Sequence, residues 1–466
     1  MGENVLEVRS PFDGALIAKL PRQNAAEIES ALATAYKLYR NRDGWLPKAK
    51  RIEILRKAGK IIAGRHEELS LQASREGGKP LIDSRIELTR AVDGMDVCAE
   101  TLRTDAGQVV PMSLNAPSSG HLAFTQYEPI GVVAAISAFN HPFNLIAHQV
   151  APAVANGCPV LVKPASSTPL SCKAFVEIMH EAGLPKDWCQ MVLPENNALA
   201  SKMIADERVA FFSFIGSGAV GWNLRNQLAA GTRCALEHGG VAPVIVAADA
   251  DLDAALPRLA KGGFYHAGQV CTSVKRIYAH ASIAESLARE LGKLGDAKKV
   301  GDPVRPDTDI GPLITHAECD RVHAWVQEAI KAGARRISGA EKISASCYQP
   351  TVLFNPPEDA KVSCLETFGP VICVYSYTDI NDAIARANSL RVSFQAAVFT
   401  RDIDTAMRVY NRIDATAVMV NDHSAFRVDW MPFAGARESG YGVGGMVGTM
   451  HDMRTEKMMV LRSAEV

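Results

Sequence analysis

Gly131-Val132-Val133-Ala134-Ala135-Ile136-Ser137-Ala138-Phe139-Asn140-His141-Pro142 is the stretch that decides how this chain folds. Its apolar opening has the length and β-leaning composition of a buried strand, and it ends in a polar loop closed by proline. Similar runs follow at 159–162, 190–193, 210–214 and 233–236. Helical patterns at about 143–155, 169–182, 197–205 and 217–230 separate them. Strands joined by helices of that length form right-handed βαβ units, hence a parallel sheet. The expected fold class is therefore α/β, with a Rossmann-type layer whose ligands sit at the carboxyl ends of the strands.

Upstream, residues 23–104 read as helical, with Ala25, Ile28, Ala31, Leu32 and Ala35 recurring at helical spacing. Downstream of Gly240 the alternation restarts, with strands expected at 243–246, 274–279, 371–377, 394–399 and 417–420. Helices at about 282–294, 315–332, 379–388 and 402–411 accompany them, giving a second α/β domain. Two segments fit neither domain. Residues 107–130 suggest a protruding β-hairpin, and 449–466 form a tail with the apolar run Met458-Met459-Val460-Leu461. Both are expected to serve subunit contact.

With 466 residues the chain can hold two or three domains. Lys+Arg 50 against Asp+Glu 51 leaves a net charge of -1, which offers nothing to nucleic acid. No apolar run approaches the roughly 20 residues of a membrane span. The opening Met1-Gly2-Glu3-Asn4-Val5 lacks the regions of a signal peptide, and Leu6 stands where a myristoylation motif wants Ser or Thr. The ten cysteines are scattered without a CxxC pair, so a reducing, cytoplasmic location and no structural metal are expected.

Candidate chemistry starts at Gly268-Gln269-Val270-Cys271-Thr272, with Glu237-His238-Gly239-Gly240 upstream. A thiol that attacks and a carboxylate that activates water suffice for covalent catalysis on a carbonyl. A lone cysteine, though, is more often a small buried hydrophobe. Asn140 could donate to an oxyanion or simply cap a turn before Pro142. Lys163 can bind ribose or phosphate, or be a solvated loop lysine. Gly216-Ser217-Gly218 offers a close backbone approach and a helix N-terminus to phosphate, while Ser217 as a plain helix cap reads equally well. Glu366-Thr367-Phe368-Gly369-Pro370 could bring a carboxylate and a ring to a cofactor, or be a loop before a strand.

Taken in order, Asn140, Lys163, Gly216-Ser217, Glu237-x-Gly239-Gly240, Gly268-Gln269-x-Cys271, Glu366-x-Phe368-Gly369-Pro370 and Pro432-Phe433 resemble the aldehyde dehydrogenase superfamily. Glu76-Gly77-Gly78-Lys79-Pro80, Gly301-Asp302-Pro303, Gly311-Pro312-Leu313 and Glu438-Ser439-Gly440 extend the likeness over nearly the whole chain. The resemblance implies a dinucleotide-binding domain over 1–106 and 131–238, a thiol domain over 239–448, and oligomerisation segments at 107–130 and 449–466. It implies oxidation of an aldehyde to the acid with NAD or NADP, through a thiohemiacetal and a thioester on Cys271. Asn140 would stabilise the oxyanion and Glu237 would be the base. A homodimer or homotetramer is implied as well.

The cofactor positions carried over are Lys163, Ser166, Gly216, Ser217, Glu366 and Phe368. Ser166 departs from the Glu of many NAD-preferring relatives, which removes a charge that repels a 2′-phosphate. The substrate positions are His141, Leu145, His148, Val270, Thr272, Arg427 and Phe433. Three of these, His141, His148 and Arg427, stand where aromatic residues are frequent, which suggests a small polar or anionic aldehyde. The run Asn140–Leu145 resembles the lactaldehyde and phosphonoacetaldehyde dehydrogenase branch. Left open are Arg427 paired with Asp429 or facing solvent, His148 as a core histidine, and His238 either tuning Glu237 or lying in packing. Aromatic or aliphatic semialdehydes, and acyl transfer to coenzyme A, are the alternative chemistries.

Overall fold

A computed structural model describes residues 4–465, so the Met1-Gly2-Glu3 opening lies outside the described residues. The strand Val132–Ile136 sits inside a six-stranded sheet, flanked by Val160–Lys163 and Val209–Ile215. Cys189–Met191 and Arg233–Glu237 complete the parallel part. Every side chain of Val132–Ala135 is buried, and alternation assigns them to opposite faces. Val132 and Ala134 pack with Ile28, Leu32 and Ala35 of the helix Ala25–Arg40. Val133 and Ala135 pack on the other face with residues of Lys48–Gly64, Leu81–Thr104 and Asn144–Asn156. A valine taken fully out of water contributes roughly 1.5–3 kcal/mol, so both faces need their helices.

The second sheet has seven strands, in the order Arg335–Ser338, Thr351–Phe354, Val371–Tyr377, Val274–His280, Ala242–Val246, Gln395–Phe399 and Ala417–Val420. All pairs are parallel except the outer Arg335–Ser338 with Thr351–Phe354. That edge pair was not expected from the sequence. Nor was the helix Leu252–Phe264, whose pattern is broken by Pro257 and by Gly262-Gly263. The helix expected at 217–230 stops at Arg225.

Residues 107–130 and the tail meet in a three-stranded antiparallel sheet, Arg454–Arg462 beside His121–Pro129 beside Val109–Val110. The chain also returns to the first sheet. Gly440–Tyr441, within the segment 239–448 that sequence assigns to the thiol domain, pairs antiparallel with Arg233–Glu237. No helix among the described residues is long and apolar enough to cross a membrane.

Two helices start on carboxylates borrowed from elsewhere. Glu87 Oε1 accepts from the backbone of Phe143 (2.8 Å) and Asn144 (2.9 Å), at a terminus without a side-chain cap of its own. Its Oε2 is 2.5 Å from Lys79 Nζ, both side chains fully buried. Glu76 does the same for Leu170 and Ser171, at 2.8 and 2.7 Å. This accounts for the Glu76–Pro80 motif as scaffold.

Candidate active site

The loop carrying Cys271 leaves the helix Leu252–Phe264 through three successive left-handed residues, His266 (φ 48°), Ala267 (φ 53°) and Gly268 (φ 68°). The two that carry Cβ atoms cost of order 1–3 kcal/mol each, so their surroundings must hold them. A side chain at Gly268 would place its Cβ 2.1 Å from the Gly369 carbonyl oxygen, which only glycine avoids. Lys275 Nζ donates to the carbonyls of Gly268 (3.1 Å) and Gly369 (2.6 Å), tying the Cys271 loop to the loop of Glu366. Gln269 donates to Pro312 O (3.2 Å) and accepts from Ile314 N (3.0 Å), which fixes it to the Gly311-Pro312-Leu313 segment.

The loop opens on a cavity of about 710 Å³ running between the two sheets. Cys271 Sγ lies 3.9 Å from Glu237 Oε1, at the carboxyl end of Arg233–Glu237. Burial pushes the Cys271 thiol up well above its ordinary range, and the neighbouring Glu237 and Glu366 carboxylates add to this. Burial also raises Glu237 to about 7, against the pull of Arg427. Asn140 is placed by the loop after Val132–Ile136, and its Nδ2 donates to Gln269 O at 3.0 Å. A second amide proton remains for another acceptor. His238 lies in packing, its ring edge-on to Phe214 and Trp222 and its Nδ1 2.9 Å from Gly216 O.

One end of the cavity is lined by Phe139, Gly216, Ser217, Val220, Glu366 and Phe368. Phe139 and Phe368 meet edge to face at 5.8 Å. Glu366 Oε1 is buried without a hydrogen-bond partner among the described residues, an acceptor waiting for a hydroxyl. Its carboxylate fills the place where a Cβ on Gly239 would go. Lys163 and Ser166 are not in the lining, although Ala165 between them is. Lys163 Nζ reaches only the Pro164 carbonyl, at 3.4 Å, and Ser166 is exposed. Ser217 precedes the helix Gly218–Arg225 but makes no capping bond. Unpaired acceptor, weakly engaged ammonium and open helix start fit a dinucleotide.

The other end gathers His141, Leu145, His148, Val270, Thr272, Arg427 and Phe433. Arg427 stacks on Phe433, its Cζ 3.4 Å from the ring centre. Its Nη2 is 3.5 Å from His148 Nδ1, while Nη1 is buried with no partner among the described residues. His148 is a core histidine in burial, yet its Nε2 sits 2.5 Å from Asp429 Oδ1. His141 is buried beside Tyr265 (3.4 Å), with burial and then Lys79 and Arg90 pushing it well below the usual imidazole range.

Sequence reasoning missed Arg90. It reaches the same cavity from the helix Leu81–Thr104 and grips Asp429 with Nε (3.0 Å) and Nη2 (2.8 Å). The signal was present as a charged stripe of Asp83, Glu87 and Arg90 running along a helix face that also carries Leu88 and Ala91.

Two α/β layers with a thiol, a carboxylate and a dinucleotide-sized cleft between them define a class: a nicotinamide-dependent oxidoreductase of carbonyl compounds. The chain belongs to the aldehyde dehydrogenase family, whose model matches residues 1–459. It is 35% identical to the 3-sulfolactaldehyde dehydrogenase of Priestia aryabhattai over 98% of this chain and 94% of that one. Its fold is similar to aldehyde dehydrogenase 21 of Physcomitrella patens in complex with the reaction product succinate (TM-score 0.95, 32% identity, 99% and 95% of the two chains covered). It is also similar to glyceraldehyde-3-phosphate dehydrogenase GapN of Methanocaldococcus jannaschii complexed with NADP (TM-score 0.93, 32% identity, 99% and 100% covered). The chain is an NAD(P)-dependent aldehyde dehydrogenase.

Proposed function

We propose that this enzyme oxidises a small anionic aldehyde to its acid, with Cys271 as nucleophile, Glu237 as base and Asn140 as oxyanion donor. The observation that carries the reading is one cavity holding Cys271 Sγ 3.9 Å from Glu237 at its centre and an unpaired Arg427 Nη1 at one end. Relatives named for sulfolactaldehyde and for bound succinate support the substrate class.

The resting thiol is protonated, so it needs a base, and Glu237 titrating near 7 is the one within reach. The thiol proton passes to the Glu237 carboxylate, and sulfur bonds to the aldehyde carbon. Negative charge grows on the aldehyde oxygen, where the free Asn140 amide proton meets it. When bound, the nicotinamide dinucleotide supplies the hydride acceptor; Lys163, Ser166, Gly216, Ser217, Glu366 and Phe368 would hold it. Uncharged Ser166 leaves room for NADP as well as NAD. Glu237 then releases the thiol proton to solvent and takes a proton from the water that attacks the thioester; the C–S bond breaks, and the departing sulfur recovers that proton from Glu237 as the thiol.

In this reading 1–106 and 131–238 serve the cofactor and 239–448 the thiol, while the three-stranded sheet serves assembly as a dimer or tetramer. Met458, Met459, Val460 and Leu461 on its outer strand, each about half exposed, support that use. The proposed setting is the cytoplasm. The test is a panel of anionic, hydroxylated, aliphatic and aromatic aldehydes with each cofactor. Anionic aldehydes should lead, and equal kcat/KM for benzaldehyde would overturn the substrate class. Acid formed without coenzyme A would exclude obligate acyl transfer.

A further inference from the structure

The groups at the Arg427 end can be counted as charges. Arg90 spends Nε and Nη2 on the two oxygens of Asp429, which is 1% exposed. Asn144 Nδ2 adds a weaker bond to Asp429 Oδ1 at 3.3 Å. His148 faces that carboxylate through Nε2 and the Arg427 guanidinium through Nδ1. A ring nitrogen opposite an N–H donor must offer its lone pair, so Nδ1 carries no proton and the imidazole is neutral. Burial acts in the same direction on His148, against the bond to Asp429. Two guanidinium groups and one carboxylate remain. Of the other cations lining the cavity, Lys261 is exposed and Arg321 pairs with Glu318 at 2.6 Å.

We propose that Asp429 sets the charge this enzyme accepts. Asp429 lies against Arg90 and also 3.9 Å from Arg427 Nε, so two guanidinium groups share one carboxylate. One net positive charge faces the substrate, and the pocket takes a monoanionic aldehyde, carboxylate or sulfonate, while disfavouring a dianionic phosphate. A second negative charge would stand uncompensated in a cavity that already holds Glu237 and the reacting sulfur. Asp429 is thus a positioning and charge-setting residue, acting through Arg90 and His148 rather than on the reacting atoms. The inference rests on the anionic-substrate reading above.

The test compares kcat/KM at pH 8 for 3-sulfolactaldehyde, succinic semialdehyde, glyceraldehyde 3-phosphate and neutral lactaldehyde; at that pH the phosphate, with a second pKa near 6, is dianionic. The wild-type enzyme should prefer the better of the two monoanions over the dianion by about tenfold or more. Asp429→Asn adds one positive charge and should shrink or invert that ratio. Arg90→Gln removes one and should bring the monoanions down towards lactaldehyde. A wild-type enzyme that uses the dianion as well as either monoanion overturns the inference. So does a folded Asp429→Asn enzyme with its ratio unchanged. If Asp429→Asn does not fold, the wild-type ratio and Arg90→Gln decide. If lactaldehyde matches every charged substrate in the wild type, it is the anionic-substrate reading itself that fails.

Discussion

Glu237 and Asp429 are carboxylates buried in the same part of the molecule, yet they are held in opposite states. Burial pushes Glu237 up to about 7, because no cation touches it and Arg427 acts only from a distance. Burial works against the Asp429 charge too, but the His148 hydrogen bond and the Arg90 fork outweigh it and keep the group well below the usual carboxylate range. A buried carboxylate whose donor is a thiol 3.9 Å away is poised to exchange protons, and one given guanidinium and imidazole donors becomes a fixed charge. In the proposed mechanism, reaction chemistry sits at the first kind and substrate recognition beside the second.

Removing the nucleophile tests the poised side most severely. Cys271→Ala should lower turnover roughly 10⁴-fold or more, with cofactor binding intact by fluorescence titration. Near-normal turnover would end the assignment. Glu237→Gln should lower turnover by about 10²–10⁴-fold. The wild-type rate should rise with pH through about 7 as Glu237 loses its proton, and the variant should lack that limb. An unchanged pH profile would move the base elsewhere. Arg427→Ala probes the fixed-charge side. It should cut kcat/KM for anionic aldehydes about 10–100-fold while sparing lactaldehyde, and equal losses would remove Arg427 from recognition.

The same contrast reaches stability. The Glu237 carboxyl has a raised pKa in the folded enzyme, so its contribution is most favourable below the unfolded value of 4.5 and is lost as pH rises towards 7. Above that the ionised group costs about 3 kcal/mol relative to the unfolded chain. Glu237→Gln should therefore be more stable than the wild type at pH 8 and about equal at pH 4.5 in denaturant unfolding. A constant difference across that range would mean that Glu237 is not held near 7.

The strands around Asn140 and Cys271 were legible because apolar β-branched runs between helices leave little choice of period. Leu252–Phe264 was not, since Pro257 and the paired glycines hide a helix that its docking on the second sheet sustains. Arg335–Ser338 was hidden too, being a polar edge strand with two exposed arginines. Cys271, Glu237, Asn140 and the substrate-side residues line one cavity, whereas Lys163 and Ser166 are not among its lining residues. The charged stripe on Leu81–Thr104 marks Arg90 as unusual, but its partner Asp429 lies 339 residues away, and no local pattern says that the two meet.

Glu87 closes the first turn of Asn144–Asn156 from a different helix, so the instruction to begin that helix is not written at its own start. Phe143 stands in the capping place and offers nothing. An excised peptide covering 140–157 should thus be unstructured in water by circular dichroism. The start of the helix that carries His148 is thus completed only by Leu81–Thr104 packed against it, so two helices far apart in the chain build that end of the cavity together.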